Sequence, residues 1–223
     1  FIQIPQPQRG ENASSTFWQD FTAGFRFIFA WRGLVILLCL VMVINFFYSA
    51  TEPLTPLLIT NHFNGDANKL GLWLSLFSVG TLMGGIILGV WGGFKRKLVT
   101  AQLGLILMGI STGVIGLVSS DMFWAGLVAN TMAGLLLPII NGSFGATLQS
   151  VVAPEMQGRV FAFIQSAAML VSPIALIIAG PFADRFGIQL WFLIAGCSCV
   201  LMGVAGFFIP EVIKKKKKSG ITS

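Results

Sequence analysis

Between Arg159 and Asp184 the chain runs for 24 residues without a charged side chain. Coiled as a helix at 1.5 Å per residue, that run measures about 36 Å, enough to cross a hydrocarbon layer of about 30 Å with some tilt. Both of its ends carry polar marks. Pro154-Glu155-Met156-Gln157-Gly158-Arg159 reads as a short turn before the run, and Gly180-Pro181-Phe182-Ala183-Asp184-Arg185-Phe186-Gly187 as the turn that closes it. A chain holding such a segment is expected to place it across a membrane.

Five further apolar stretches of similar length flank it. In chain order the expected spans are residues 33–59, 70–94, 98–118, 122–152, 160–180 and 188–209, each about 20 residues or more, as a bilayer requires. Composition agrees: 55% of residues are hydrophobic and 10% charged, where a soluble domain carries about 25% charge. The fold class this predicts is an all-α membrane protein of six transmembrane helices. Cys39, Cys197 and Cys199 all fall inside apolar runs and are expected to pack as small hydrophobes. Cys197 and Cys199, two residues apart, point to different sides of a helix and make no metal or redox pair.

Outside the spans the chain changes character. Residues 1–15 read as a polar, proline-bearing linker. Because Phe1 is not a start methionine, the chain is expected to be a piece of a longer protein. Thr16-Phe17-Trp18-Gln19 fits a capping box, and Phe17, Phe21, Phe25, Ile28 and Phe29 then recur at helical spacing. Residues 16–32 therefore read as an amphipathic helix lying in the membrane interface or as the first turns of the span that follows. The bundle occupies 33–209, and 210–223 is a basic tail with five consecutive lysines, Lys214 to Lys218.

An even number of spans returns both ends of the chain to one side. The 14 basic residues split 12 to 2 between the terminal side and the far side, where only Lys69 and Arg185 lie. Positive loops face the cytoplasm, so both termini are expected to be cytoplasmic, in the plasma membrane. The lysine run also suits attraction to anionic lipid headgroups, and nucleic acid is not an expected partner.

Pro154-Glu155-x-x-Gly158-Arg159 before a span, with Gly180-Pro181-x-x-Asp184-Arg185-x-Gly187 after it, resembles the eleventh helix of a major facilitator superfamily transporter with its flanks, most closely the macrolide-efflux or multidrug exporter type. The resemblance implies the C-terminal six-helix half of a twelve-helix fold, built as a 3+3 inverted repeat. It implies secondary active export of drugs or other amphipathic molecules, coupled to protons. The implied partners are the lipid bilayer, an N-terminal six-helix half, a small-molecule substrate and protons. It also assigns Gly158, Arg159, Gly180, Pro181, Asp184 and Arg185 to packing and gating motifs. The second span ends Gly92-Gly93-Phe94-Lys95-Arg96, where the family usually keeps an Asp-Arg pair, so the gating ion pair that Asp would form is in doubt here.

The glycines of the second span recur every four residues, Gly80 with Gly84, Gly85 with Gly89 and Gly89 with Gly93, a spacing that lets helix backbones approach closely in lipid. Gly89 and Gly93 are the expected contact points. Polar residues form stripes on three spans: Asn45, Tyr48, Glu52 and Thr55 on the first, Asn130 and Asn141 on the fourth, and Gln165, Met169 and Ser172 on the fifth. Polar groups are costly in hydrocarbon and face a bundle interior or a wet cavity. Asn45, Tyr48, Asn130, Asn141, Gln165 and Met169 are thus candidate cavity residues, with interhelical hydrogen bonding as the other reading for the asparagines. The third and sixth spans lack a comparable stripe; Gln102 and Gln189 sit near their ends. Glu52 reads either as a solvated residue at the outer mouth or as a proton carrier, and His62 as a solvated loop residue. Pro53, Pro56 and Pro138 are expected to break or kink their helices.

The sequence lacks a Gly-x-x-x-x-Gly-Lys-Ser/Thr phosphate loop, metal-ligand spacing among His, Cys, Asp and Glu, and the means to assemble a Ser-His-Asp set from one histidine. No cofactor or metal is expected, and an enzyme is not. The alternative to a transporter half is a six-helix membrane scaffold or channel subunit.

Overall fold

The computed structural model describes residues 32–152 and 154–208. The expected linker, interfacial helix and basic tail lie outside the described residues. Inside them the chain forms α1 (Arg32–Ser49), α2 (Thr51–Leu57) with a π-helical turn (Leu58–His62), α3 (Ala67–Trp91), α4 (Lys97–Leu117), α5 (Phe123–Val151), α6 (Pro154–Phe186) and α7 (Ile188–Gly206). Six of the resulting segments are long and apolar enough to cross a membrane, α1, α2 and the π turn counting as one.

Prolines shape the first span without ending it where expected. Pro53 has no N–H to give the Ser49 carbonyl, and α1 stops at Ser49. Ala50 nonetheless stays right-handed at φ −79°, and Leu54 N–H picks up its carbonyl at 3.3 Å. After Pro56 the helix widens, and Phe63 N–H reaches five residues back to the Leu58 carbonyl at 3.2 Å. The span therefore runs on to His62. α3 starts at Asp66, whose side chain accepts the Lys69 N–H, and stops at Gly92, which adopts φ +69°. Gly93 follows at +76°. A residue with a Cβ would be strained at either place.

The fifth span corrects the boundaries read from its polar flanks. The chain is helical from Pro154 through Phe186, so both flanking motifs are helix rather than turn. Proline at the first helical position costs nothing, because that N–H has no helical partner. The charges at the far end simply ride on turns that extend past the apolar length. Gly187, at φ +90°, supplies the actual stop. α5 likewise continues through Pro138.

The most extensive seam joins α4 to α7. A methyl group on Gly109 would stand 2.6 Å from the Gly196 carbonyl oxygen, and one on Gly196 would stand 2.5 Å from the Gly109 carbonyl oxygen. The relation is reciprocal further out as well: Gly116 abuts the Gln189 carbonyl and Gly203 the Gln102 carbonyl. Each of the pairs Gln102/Gln189, Gly109/Gly196 and Gly116/Gly203 is 87 residues apart. Spans pair in the same way. The third packs on the sixth, the second on the fourth as the fifth does on the first, and the third on the fourth as the sixth does on the first. Exchanging one three-span group for the other reverses its direction, so this is an inverted repeat about a two-fold axis through the α4–α7 crossing.

α3 meets α5 through a second close contact, Gly80 and Gly84 against the Thr131 and Leu135 carbonyls and Gly134 against that of Phe77. At one end of the bundle Phe63, Trp73 and Phe123 stack edge to face or tilted, with centroids 5.5–6.0 Å apart. Burial is uneven: 56% of the most apolar stretch of α4 is covered by the rest of the chain, against 17% for α3 and 11% for the fifth span. Of the cysteines, Cys199 is buried as expected. Cys39 and Cys197 instead face out of the bundle, where a small apolar thiol is equally at home against lipid.

Candidate functional site

Two adjoining cavities lie along the first span. The one nearer the start of α4, termed inner for its place in the bundle, has a volume of about 240 Å³, is bounded by α1, α4, α5 and α7 and brings together Asn45, Tyr48, Gln102 and Asn141 between walls that include Ile44, Leu105, Met108 and Phe144. Asn45 spends one amide hydrogen on the Val41 carbonyl of its own helix, at 2.8 Å. Gln102 is 5% exposed, and among the described residues neither its Nε2 nor its Oε1 has a hydrogen-bond partner.

The outer cavity, about 180 Å³, is lined by Tyr48, Thr51, Glu52, Thr55, Thr112 and Asn130 with Trp73, Phe77 and Phe192. Tyr48 and Leu137 line both cavities and so form the partition between them. Asn130 is buried and donates to the Trp73 carbonyl across to α3 at 2.8 Å, so for this asparagine the interhelical reading holds. Thr51 and Thr55 turn their hydroxyls back onto the Tyr48 and Thr51 carbonyls, which satisfies them within the helix. Glu52 remains exposed and is the carboxylate that this cavity offers.

The structure thus groups Asn45, Tyr48 and Asn141, sets Asn130 and Glu52 next door, and leaves Gln165 and Met169 apart. Those two are exposed on α6, Met169 by 76%, and line neither cavity. Gly89 is corrected as a contact within this chain: a Cβ there meets nothing within 4 Å. Gly93 lies beyond the end of α3, against the Thr100 side chain. The four-residue spacing recurs on more than one face of the helix, and the face that carries the contact within this chain is that of Gly80 and Gly84. Gly158 and Gly180 also have open space around them, Pro181 and Asp184 are exposed, and Arg185 lies over the Phe186 ring at 5.6 Å. Arg159 is half-buried, with Nη1 3.8 Å from the Met156 sulfur.

His62 is a second correction. It is half-buried, not solvated. Its Nε2 lies 2.8 Å from the Val118 carbonyl and its Nδ1 meets the Gln189 amide, so the ring ties the end of the first span to the end of α4 and the start of α7. Sequence spacing could not reveal this, because its partners lie 56 and 127 residues away. Gln102 is the site residue that the stripes missed. It is the one amide on its helix, and only its 87-residue match to Gln189 singles it out. In the loop before α3, the Lys69 N–H and then the Asn68 amide hold the exposed Asp66 carboxyl below the usual carboxylate range.

Among the described residues no three His, Cys, Asp or Glu side chains converge as a metal site would require. What the cavities present is amides, hydroxyls, one carboxylate and apolar walls, a set suited to binding amphipathic molecules.

A family model described as Major Facilitator Superfamily matches residues 23–223. The chain is 29% identical over 214 residues to macrolide efflux protein A of Streptococcus pyogenes, covering 96% of this chain and 53% of that protein. It is 28% identical over 176 residues to macrolide efflux protein A of Enterococcus faecalis, covering 78% and 54%. To the multidrug efflux pump Tap of Mycolicibacterium fortuitum it is 26% identical over 162 residues, covering 72% and 39%. The chain spans about half the length of the macrolide efflux relatives it matches.

Proposed function

Because the chain belongs to the major facilitator superfamily, we propose that it works as the C-terminal six-helix half of a secondary exporter that expels drugs or other amphipathic small molecules in exchange for protons. What carries the reading is one conjunction. A chain similar over 96% of its length to a macrolide efflux protein gathers Asn45, Tyr48 and Asn141 around an apolar-walled cavity. Apolar walls tolerate many shapes while a few amides and hydroxyls orient them, which suits weakly discriminated cargo.

The partner of this half would be a second six-helix bundle. Supporting that are the relatives' roughly doubled length and the poorly covered α3 and α6. On this reading Gly85, Gly89, Gln165 and Met169 face the other half and the path between the halves, and Asp184 and Arg185 act at its rim. The protein would sit in the plasma membrane with both termini cytoplasmic, supported by the 12 to 2 split of basic residues. Glu52 is the proposed proton-coupling group, supported by its place on the outer cavity beside Tyr48.

The test is efflux from cells that express the complete open reading frame containing this sequence. The expected result is lowered accumulation of a macrolide, restored by a protonophore, with Glu52→Gln weakening export at low external proton supply. Accumulation unchanged by expression, for macrolides and for a panel of lipophilic cations alike, would overturn the reading.

A further inference from the structure

The inner cavity holds an amide without a partner among the described residues. Gln102 lies on the third span, 5% exposed, with both polar atoms of its side chain unpartnered. A buried primary amide without hydrogen bonds is costly, by about 1–3 kcal/mol on protein scales. Its counterpart in the repeat shows what such an amide does when the protein employs it: Gln189, 87 residues on, meets His62. Among the described residues Gln102 has no such partner. Its Nε2 is held instead against Gly206, where an added methyl group would stand 2.8 Å away. The glycine thus leaves room for the amide at the edge of the cavity that it lines.

We propose that this cavity is a binding site within the half itself for a small uncharged molecule with an apolar ring or chain and one amide group. A ligand amide can pair with Gln102 reciprocally, each donating an N–H and accepting at its carbonyl, which satisfies both orphaned atoms at once. Asn141 and Tyr48 can take a second polar group. The lining residues carry no formal charge, so an ion would enter without a counter-charge and at high desolvation cost. The volume, about 240 Å³, exceeds the roughly 150 Å³ that suffices for benzene in an apolar cavity. It falls short of the roughly 300 Å³ at which drug-sized pockets begin. Within this half the cavity therefore takes a small molecule or one fragment of a larger one; the inference deepens the export reading at the same cavity, and labelling, which requires the fold alone, tests it apart from transport.

The experiment uses the full chain in lipid nanodiscs and a photoreactive diazirine derivative of benzamide, with labelled positions located by mass spectrometry. Labelling is expected on α4 and α5 around Leu105 and Ile140. Excess benzamide should suppress it at least ten-fold, and ethylbenzene, of similar shape but without the amide, should not. Gln102→Leu should lower labelling at least ten-fold while raising the melting temperature, because an unsatisfied amide is replaced by an apolar side chain. Gly206→Ala should lower labelling by displacing the amide. Where Gln102→Leu does not fold, Gln102→Met takes its place. Labelling that survives either substitution, equal competition by ethylbenzene, or label confined to outward positions such as Leu201 would overturn the site. So would a fall in melting temperature for both Gln102 variants, since the amide would then have a structural partner.

Discussion

α4 and α6 are both long apolar helices, and their sequences alone would place them in the same environment. The chain covers 56% of the most apolar part of α4 and 11% of that of the fifth span. The difference lies in where small residues fall. α4 carries Gly109, Gly113 and Gly116 on one face, and that face locks reciprocally onto the glycines of α7. On α6 the buried positions are few, among them Ala175 and Ala179, while Leu170 and Ile177 point outward at about 70% exposure. In a bilayer, apolarity does not drive helices together, since lipid is as apolar as leucine. Close approach of backbones does. The α4–α7 seam is therefore the structural axis of this bundle, and α6 is a helix that the rest of the chain leaves largely uncovered.

The sharpest way to break that comparison is to fill the seam. Gly109→Leu or Gly196→Leu would drive a side chain into the opposing backbone and should cost about 3 kcal/mol, the upper end for overpacking. The fraction of folded protein surviving detergent extraction and a temperature ramp would report it. Gly89→Leu, on the open side of α3, should leave that fraction unchanged and reduce only export by the complete protein. Equal tolerance at positions 109 and 89 would refute the distinction.

A smaller effect is expected at the α3–α5 contact. Asn130→Ala removes the bond to the Trp73 carbonyl and should cost about 1 kcal/mol, within the range of interhelical hydrogen bonds in membranes. Asn141→Ala, on the cavity, should leave stability within about 0.5 kcal/mol while changing the substrate profile. Smaller again is the clasp at the head of the seam. His62→Phe and Gln189→Leu, combined in a double-mutant cycle, should show a coupling of about 0.5–1 kcal/mol. Strict additivity would mean that the clasp does nothing.

The smallest effect concerns Asp66 at the start of α3. Asp66→Ala should lower the melting temperature slightly at neutral pH through loss of the helix cap. The folded-state pKa of this carboxyl is depressed by its hydrogen bonds to Lys69 and Asn68. Its contribution is thus present above the unfolded carboxyl pKa of about 3.9 and is lost as pH falls through the lower folded value. The parent and Asp66→Ala should converge in melting temperature at that acidic extreme. A gap that persists there would assign the effect to something other than the ionised cap.

The six spans were legible because a membrane helix declares itself locally, by length and lack of charge. The boundaries of α6 were not, since polar flanks mark the edge of the apolar zone and not the edge of the helix. Only positive-φ Gly187 ends it. The polar stripes picked out Asn45, Tyr48 and Asn141, which the fold brings to one cavity, because cost in hydrocarbon forces such residues toward the interior. They said nothing of Gln102, a single amide whose neighbours come from other helices. The glycine stripe named the helix, while the contact within this chain falls on Gly80 and Gly84, because spacing gives an angle around the axis and not the partner that fills it. His62 depends wholly on tertiary contacts.

The central claim is that the outward face of α6 meets a second half and a water-filled path, whereas the outward face of α7 meets lipid. The direct measurement places single cysteines at Gln165 and Leu201 in the complete protein, with Cys39, Cys197 and Cys199 replaced, and reacts membranes with a hydrophilic thiol reagent. The account predicts that position 165 reacts and is protected when a macrolide is present, while position 201, 62% exposed in this chain, stays inert. Inertness at 165 with and without macrolide, or equal reactivity at both positions, would contradict it.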